Sequence, residues 1–184
     1  MLENGFYKIS QDFVDLIRNL GGTYQDAKER PIFCCFEDKY ISELYWAIPT
    51  SDLSHRDEKV MKKIDSHISL PERDIRSCWY HKGHTNKPAL YRISNCFPIT
   101  EKYIDDAYIS NGEHLMLMNK KEISTIRRKL SRILFNENKN PNKYEQHITS
   151  IKEHLMKELI NKIEKDTLEE AVITIENINI ETSD

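Results

Sequence analysis

The chain has 184 residues, 39% of them hydrophobic, with 27 Lys and Arg against 30 Asp and Glu and a formal net charge of −3. That length and composition suit one globular domain with a substantial core and leave little room for two. No run of about eighteen apolar residues is available for a membrane span, and MLENGFYKIS has neither the basic start nor the apolar centre of a secretory leader, so the expected home is the cytoplasm.

Taken in chain order, FYKIS (residues 6–10) reads as a short strand, and Ser10 caps a helix whose Phe13, Leu16, Ile17 and Leu20 share one face until Gly21-Gly22 stops it. After the loop TYQDAKERP, the segments IFCCF and LYWAI are short, aromatic and β-branched, and the polar EDKYISE between them makes a predicted hairpin. Polar SDLSHRDEKVMKKIDSH carries a short helix with Val60, Met61 and Ile64 inward, and HKGHTNKP is expected to be a loop leading to the strands ALYRIS and FPI. ITEKYIDDAYI has the pattern of a helix capped by Thr100, with Ile104, Ala107 and Tyr108 on one face. NKKE at 119–122 is an Asn version of the capping box and opens a helix through Ile123, Ile126, Leu130, Ile133 and Leu134. NENKNPNK breaks it, and a final helix spaces Tyr144, Ile148, Ile151, Leu155 and Leu159 so that the two long helices pack together against the sheet. AVITIENINI alternates enough for an edge strand and is otherwise a disordered end that pairs only on association. The predicted class is α+β, with residues 1–165 a single domain and 166–184 an acidic tail.

The charge is unevenly spread. Residues 118–165 carry 12 Lys or Arg against 6 Asp or Glu, whereas 166–184 carry 6 acids and no base. A basic body suggests a polyanionic partner, although charges on the outer face of a helix also serve solubility. The chain lacks the glycine-rich dinucleotide and phosphate loops, the zinc-protease H-E-x-x-H and the serine-hydrolase elbow, which removes the familiar nucleotide and hydrolase classes. Cys34, Cys35, Cys78 and Cys96 have no framework spacing and are expected to be reduced. Cys78-x-x-His81-x-x-His84 with Cys96 is one set of four possible zinc ligands, but the paired knuckles of such sites are missing and Cys78 reads better as a small core residue. No cofactor or metal is called for.

WAIPTSDLSHR (46–56) runs from an apolar strand into a polar cluster. Thr50 and Ser51 at a strand end can offer hydroxyls and the following backbone N–H groups to a phosphate; taken alone, the same pair also reads as a turn or cap. FYKIS, RP at 30–31, the hairpin ending in PTS at 49–51, a His/Lys-containing polar segment, LYRISNCFPIT at 90–100 and two closing helices occur in an order that resembles the ToxN/AbiQ family of type III toxin–antitoxin toxins, including its CptN-like branch, over residues 6–160. The resemblance implies a compact, strongly bent antiparallel sheet of the MazF/Kid type packed with helices. It further implies a metal-independent, sequence-selective endoribonuclease that works by 2′-OH attack, leaves a 2′,3′-cyclic phosphate, and is inhibited by a small pseudoknot RNA that it processes. The partners implied are that antitoxin RNA in a closed assembly and cellular mRNA, with no membrane.

In the family the Thr-Ser position lies at the scissile bond, which carries over to Thr50 and Ser51, and a cation at the start of the first hairpin strand carries over to Arg30. Relatives commonly follow the Ser with Pro and Lys; this chain has Asp52-Leu53-Ser54-His55-Arg56, so the flanking cation falls to a neighbour such as His55 or Lys59. Cleavage without metal needs the 2′-oxygen activated, the phosphoryl charge stabilised and the 5′-oxygen helped to leave. A histidine titrates near neutrality, and His84, flanked by Gly83 and Thr85, is favoured over His81 beside Tyr80. Arg56, Lys59, Lys82 and Lys87 are expected on the RNA, and Lys120, Lys121, Arg127, Arg128 and Arg132 on the antitoxin backbone. Two other classes remain open, a non-catalytic RNA-binding module and a zinc-binding regulatory protein.

Overall fold

A computed structural model of the chain describes residues 1–24, 30–54 and 56–181, with side chains described to residue 169. β1 (Phe6–Ile9) leads directly into α1 (Gln11–Asn19), where Ser10 Oγ accepts from the Phe13 N–H at 3.2 Å and Phe13, Val14 and Ile17 turn inward. Leu20 closes the helix, and Gly21 takes a φ of +91°, which a side chain would resist. β2 (Ile32–Glu37) and β3 (Tyr45–Asp52) form the predicted hairpin. After them come α2 (Glu58–Ile68), β4 (Tyr80–His84), β5 (Pro88–Arg92), β6 (Phe97–Ile99), β7 (Ile104–Ala107), the small pair β8 (Ile109–Ser110) and β9 (Glu113–His114), α3 (Lys120–Lys139) and α4 (Ile148–Glu181).

The main sheet is antiparallel, in the order β4-β5-β3-β2-β1-β7, with β6 also on β3. Its two faces are covered by different helices, which explains why β2 is apolar at every position from Ile32 to Phe36. Phe33 and Cys35 join Trp46, Ile48 and Tyr91 under Ile126, Leu130 and Ile133 of α3. Ile32 and Cys34 join Ala47, Phe97 and Ile99 under Phe13 and Ile17 of α1 and Ile151 and Leu155 of α4. The α+β class read from the sequence is the one observed. Among the described residues no helix is long and apolar enough to cross a membrane.

β3 is the strand that shapes the functional end. Its first half pairs with β6, from Tyr45↔Ile99 to Ala47↔Phe97, and its last residues pair instead with β5, from Thr50↔Tyr91 to Asp52↔Ala89. On its other side β2 stops at Ile32↔Pro49, because Pro31 has no N–H to extend the ladder. Thr50, Ser51 and Asp52 therefore keep a strand on one side only, and a gap opens on the other.

Several expectations are corrected. Only residues 85–87 of the expected loop 81–88 form a turn: β4 and β5 pair over five positions, from Tyr80↔Arg92 to His84↔Pro88, and a polar edge strand tolerates the His and Lys that suggested a loop. Thr100 heads only a 3-10 turn over Glu101–Tyr103, without a side-chain cap bond, and Ile104–Ala107 is a strand, since β1 needed a partner on its open edge. Of the three residues expected inward on α2 only Ile64 is buried, and Val60 is exposed. Asn119 caps α3 as expected, accepting from the Lys121 and Glu122 N–H groups at 3.1 and 3.2 Å. Glu122, however, accepts from the His84 N–H at 3.1 Å and not from Asn119. Tyr144 lies before α4, and the backbone of AVITIENINI continues that helix where a strand or disorder was expected. Extending a helix that already has a packed start is cheap, whereas a strand would have to pay for a new pairing.

Candidate functional site

The gap beside β3 is held open by one carbonyl. Pro31 O accepts from both the Thr50 N–H at 3.2 Å and the Thr50 hydroxyl at 2.6 Å, and Thr50 is 5% exposed, so its hydroxyl is committed to the fold. Ser51, the next residue, points its Oγ to Arg56, whose Nη2 donates to it at 2.6 Å while Nε donates to Asp52 O at 3.3 Å. As an acceptor from Arg56, Ser51 Oγ keeps its own hydrogen for another oxygen. The 52–56 turn is fixed by Ser54 N–H donating to Asp52 Oδ1 at 2.7 Å and by Lys87 pairing with Asp52 Oδ2 at 2.6 Å. Lys87 and the Ser54 N–H hold the Asp52 carboxyl well below the usual carboxylate range.

Two hollows meet at Ser51. One, of about 300 Å³, is walled by Tyr24, Arg30, Arg92, Asn95, Glu145 and Gln146; the other, of about 240 Å³, by Arg30, Asp52, Arg56, Asn86, Lys87 and Tyr108. Both share Arg30, Thr50 and Ser51. A third, of about 230 Å³, continues the first through Arg92, Asn95 and Glu145 and adds Lys63, Trp79, Tyr80 and Lys143. Together they form one groove across the end of β3 and β5.

Arg56 reports the electrostatics. Burial pulls its guanidinium pKa down, and the charges of Arg92 and Arg30 pull it further in the same direction. Among the described residues none of these three arginines forms an ion pair; Asp52, already paired with Lys87, opposes them at Arg56 only as a smaller effect, and Glu145 shares the first hollow with Arg30 and Arg92, so the cluster keeps an excess of positive charge. A cluster with an excess of positive charge in a partly desolvated groove attracts anions. Aromatic rings border it; burial pushes the Tyr24 phenol up to about 12, against the pull of Arg92 and Arg30.

The structure thus brings together Arg30, Thr50, Ser51, Arg56 and Lys87 of the residues expected from the sequence. His84 and His81 line none of the three hollows. His84 is exposed at the end of β4, while His81 is half-buried against Tyr91, and burial, with help from Lys129, pushes its pKa down to about 4. His55 lies outside the described residues. Lys82 pairs with Asp65 at 2.5 Å, and Lys59 is exposed on α2. On α3, Lys120 and Lys121 are exposed, Arg128 pairs with Glu72 at 2.9 Å, and Arg132 lies beside Arg73 and Phe135 on the outer surface. Arg127 is structural: its Nη2 donates to Glu3, Asn4 and Cys35 O at 2.8, 3.2 and 2.9 Å.

Sequence reasoning missed Arg92, Lys63, Lys143 and the pocket residues Asn95, Glu145 and Gln146. The one usable signal was Arg92, a charge inside the otherwise apolar strand LYRIS; Glu145 and Gln146 come from a loop whose return to β3 no local pattern announces. Cys78 and Cys96 are buried on the α3 face, and among the described residues no three His, Cys, Asp or Glu side chains form a group that could hold a metal ion. All four cysteines are buried and unbridged, and burial pushes the Cys34 thiol up to about 12, which makes it a poor nucleophile. No family model matches the chain, and neither does any curated protein.

Proposed function

We propose that this protein is the toxin of a type III toxin–antitoxin pair, an endoribonuclease that cleaves cellular mRNA and is held inactive by a small pseudoknot RNA in a closed assembly in the cytoplasm. The observation that carries the reading is the grouping of Arg30, Arg56 and Arg92, none of them in an ion pair among the described residues, around Ser51 in a groove of nucleotide-sized hollows. The ordered motifs that resemble the family supply the rest.

In the reaction the 2′-oxygen of one ribose attacks the adjacent phosphorus, the bond to the 5′-oxygen breaks, the 2′-hydroxyl proton leaves and the 5′-oxygen gains one. The products are a 2′,3′-cyclic phosphate and a 5′-hydroxyl. The phosphoryl oxygens gain charge as the pentacovalent state forms, and this is where guanidinium groups already held in place contribute most. Ser51 Oγ–H, oriented by Arg56, donates to a phosphoryl oxygen or to the 2′-oxygen.

The test incubates single-stranded RNA with the purified chain in chelator. Expected are 2′,3′-cyclic phosphate ends, no cleavage where the attacking sugar is 2′-deoxy, and cleavage slowed by about 10² to 10³ in a folded Ser51→Ala variant. Cleavage of the 2′-deoxy junction, or full activity in Ser51→Ala, removes the reading. A second reading, an RNA-binding module without catalysis, is favoured by the lack of any histidine among the described residues lining the groove. It predicts RNA binding that depends on Arg30 and Arg92 with no cleavage at any pH.

A further inference from the structure

We infer that Glu145 is the general base of the groove, the group that takes the 2′-hydroxyl proton during cleavage. The inference rests on the nuclease reading above and assigns its proton acceptor to a loop carboxylate. Among the described residues that line the three hollows there is no histidine, and the carboxylates are those of Asp52 and Glu145. The other titratable groups there are arginines, lysines and tyrosines, which meet the RNA with their protons in place.

Asp52 is engaged on both oxygens. Lys87 on Oδ2 at 2.6 Å and the Ser54 N–H on Oδ1 at 2.7 Å hold its carboxyl well below the usual range, which makes it a weak base. Glu145 is placed differently. It lines the first hollow with Ser51, Arg30 and Arg92 and the third with Arg92, Lys63 and Lys143, with Tyr24, Tyr80 and Tyr144 bordering, yet it forms no ion pair among the described residues. Its Oε2 accepts from Asn95 Nδ2 at 3.1 Å, and no hydrogen bond among the described residues engages Oε1. The side chain is exposed, so a bound strand can reach it.

The carboxylate is held from two sides. Asn95 is 7% exposed, and its Oδ1 accepts from Ser94 Oγ at 3.2 Å, which leaves its amide hydrogens for Glu145. The Glu145 carbonyl accepts from the Thr23 N–H at 3.1 Å, which fixes the loop against the segment after α1. A base oriented by a third group, in one hollow with the Ser51 hydroxyl, is the arrangement that acid–base catalysis needs. As a binding element a carboxylate works against the groove, because it repels the phosphates that the arginines attract. As a base it has a use. It takes the proton of the 2′-hydroxyl, the electron pair of the 2′-oxygen closes on phosphorus, and the 5′-oxygen leaves with the electrons of its own bond and takes a proton from water. Glu145 then returns its proton to water.

The experiment compares the full-length parent with Glu145→Gln in chelator, by single-turnover cleavage of a single-stranded RNA from pH 5 to pH 8 and by binding of its 2′-deoxy analogue, with circular dichroism checking the fold at each pH. Glu145→Gln is expected to slow cleavage by about 10² to 10⁴ and to lose the acid limb of the parent's pH profile. It is expected to bind the 2′-deoxy RNA as tightly as the parent or more tightly, since a repelling charge is gone. The limb should survive in His55→Gln. Cleavage by Glu145→Gln within about tenfold of the parent, or an acid limb that persists in it, overturns the assignment and leaves the nuclease standing. A slowed Glu145→Gln whose affinity for the 2′-deoxy RNA falls in step overturns it too, since the residue would then only hold the strand. A parent that binds RNA without cleaving it removes the nuclease reading, and the assignment with it.

Discussion

Thr50 and Ser51 are neighbours with different jobs, and the hydrogen bonds separate them. Thr50 spends its hydroxyl on Pro31 O, whereas Ser51 only receives a bond from Arg56 and can still give one. Thr50→Val should cost about 1 kcal/mol of stability, the usual net worth of one such bond, with a small effect on cleavage. Ser51→Ala should leave the denaturation curve in place and slow cleavage by about 10² to 10³, the usual loss for one transition-state donor. Urea denaturation and single-turnover kinetics on both variants decide it; equal kinetic losses would mean that the Thr50 hydroxyl also reaches the RNA. His81 gives a pH prediction of another kind. Its folded pKa, near 4, lies below the ordinary imidazole value of about 6.5. Between those values the unfolded chain binds a proton that the folded chain does not, so stability falls as pH drops through that window. The loss has an upper bound of about 3 kcal/mol, reduced by the Glu122 carboxylate 3.9 Å away, which favours the charged ring. His81→Gln should flatten this limb in urea midpoints compared at pH 7 and pH 4.5, and an unchanged acid slope would assign the limb to other groups.

At the scale of elements, the least visible contributor is Glu137, 2% exposed near the end of α3. One carboxylate oxygen accepts from the Asn142 N–H, the Thr149 N–H and the Thr149 hydroxyl at 2.7, 3.1 and 2.6 Å, and the other accepts from the Lys143 N–H at 3.2 Å. It thereby closes the α3–α4 loop, where Asn142 and His147 take positive φ, and caps the first turn of α4. Glu137→Ala strands several buried donors at once and should cost about 3 kcal/mol or more, measured by denaturant unfolding. A loss under about 1 kcal/mol would show that water replaces the carboxylate without penalty. Glu137 also marks the limit of reading by pattern. Helical and strand periods located α1, β2, β3 and α3, because their burial repeats along the local chain. The β7 segment failed because Ile104, Ala107 and Tyr108 fit a helical face, and only the open edge of β1 makes it a strand. The cleft was half legible: PTS and Arg30 lie where strands end, a local signal, whereas Glu145 and Gln146 reach β3 through a turn set by one buried carboxylate about 30 Å of contour away, by no rule that a sequence window contains.

Across the whole molecule, positive charge is presented on two separate surfaces. The groove has Arg30, Arg56 and Arg92, none in an ion pair among the described residues, followed by Lys63 and Lys143, while the outer face of α3 has Arg128 and Arg132, with Arg73 beside them, around Phe135. On the proposed function a short substrate would need only the groove, and a folded antitoxin RNA would meet both surfaces. Each single-strand phosphate contact contributes about 0.7 to the slope of log affinity against log salt. Arg30→Gln with Arg92→Gln should therefore lower the slope by about 1.4 for a short single-stranded RNA and for the antitoxin alike. Arg128→Gln with Arg132→Gln should lower it for the antitoxin and leave the short RNA unchanged. Arg127 is omitted from that pair because its bonds to Glu3, Asn4 and Cys35 O tie α3 to β2, so its loss would be read through the fold. Filter binding of both RNAs from low to moderate salt measures the four slopes. If the α3 pair changes the short RNA as much as the antitoxin, a single continuous track serves both ligands, and inhibition is simple occupation of the groove; if it changes neither, the antitoxin docks away from α3.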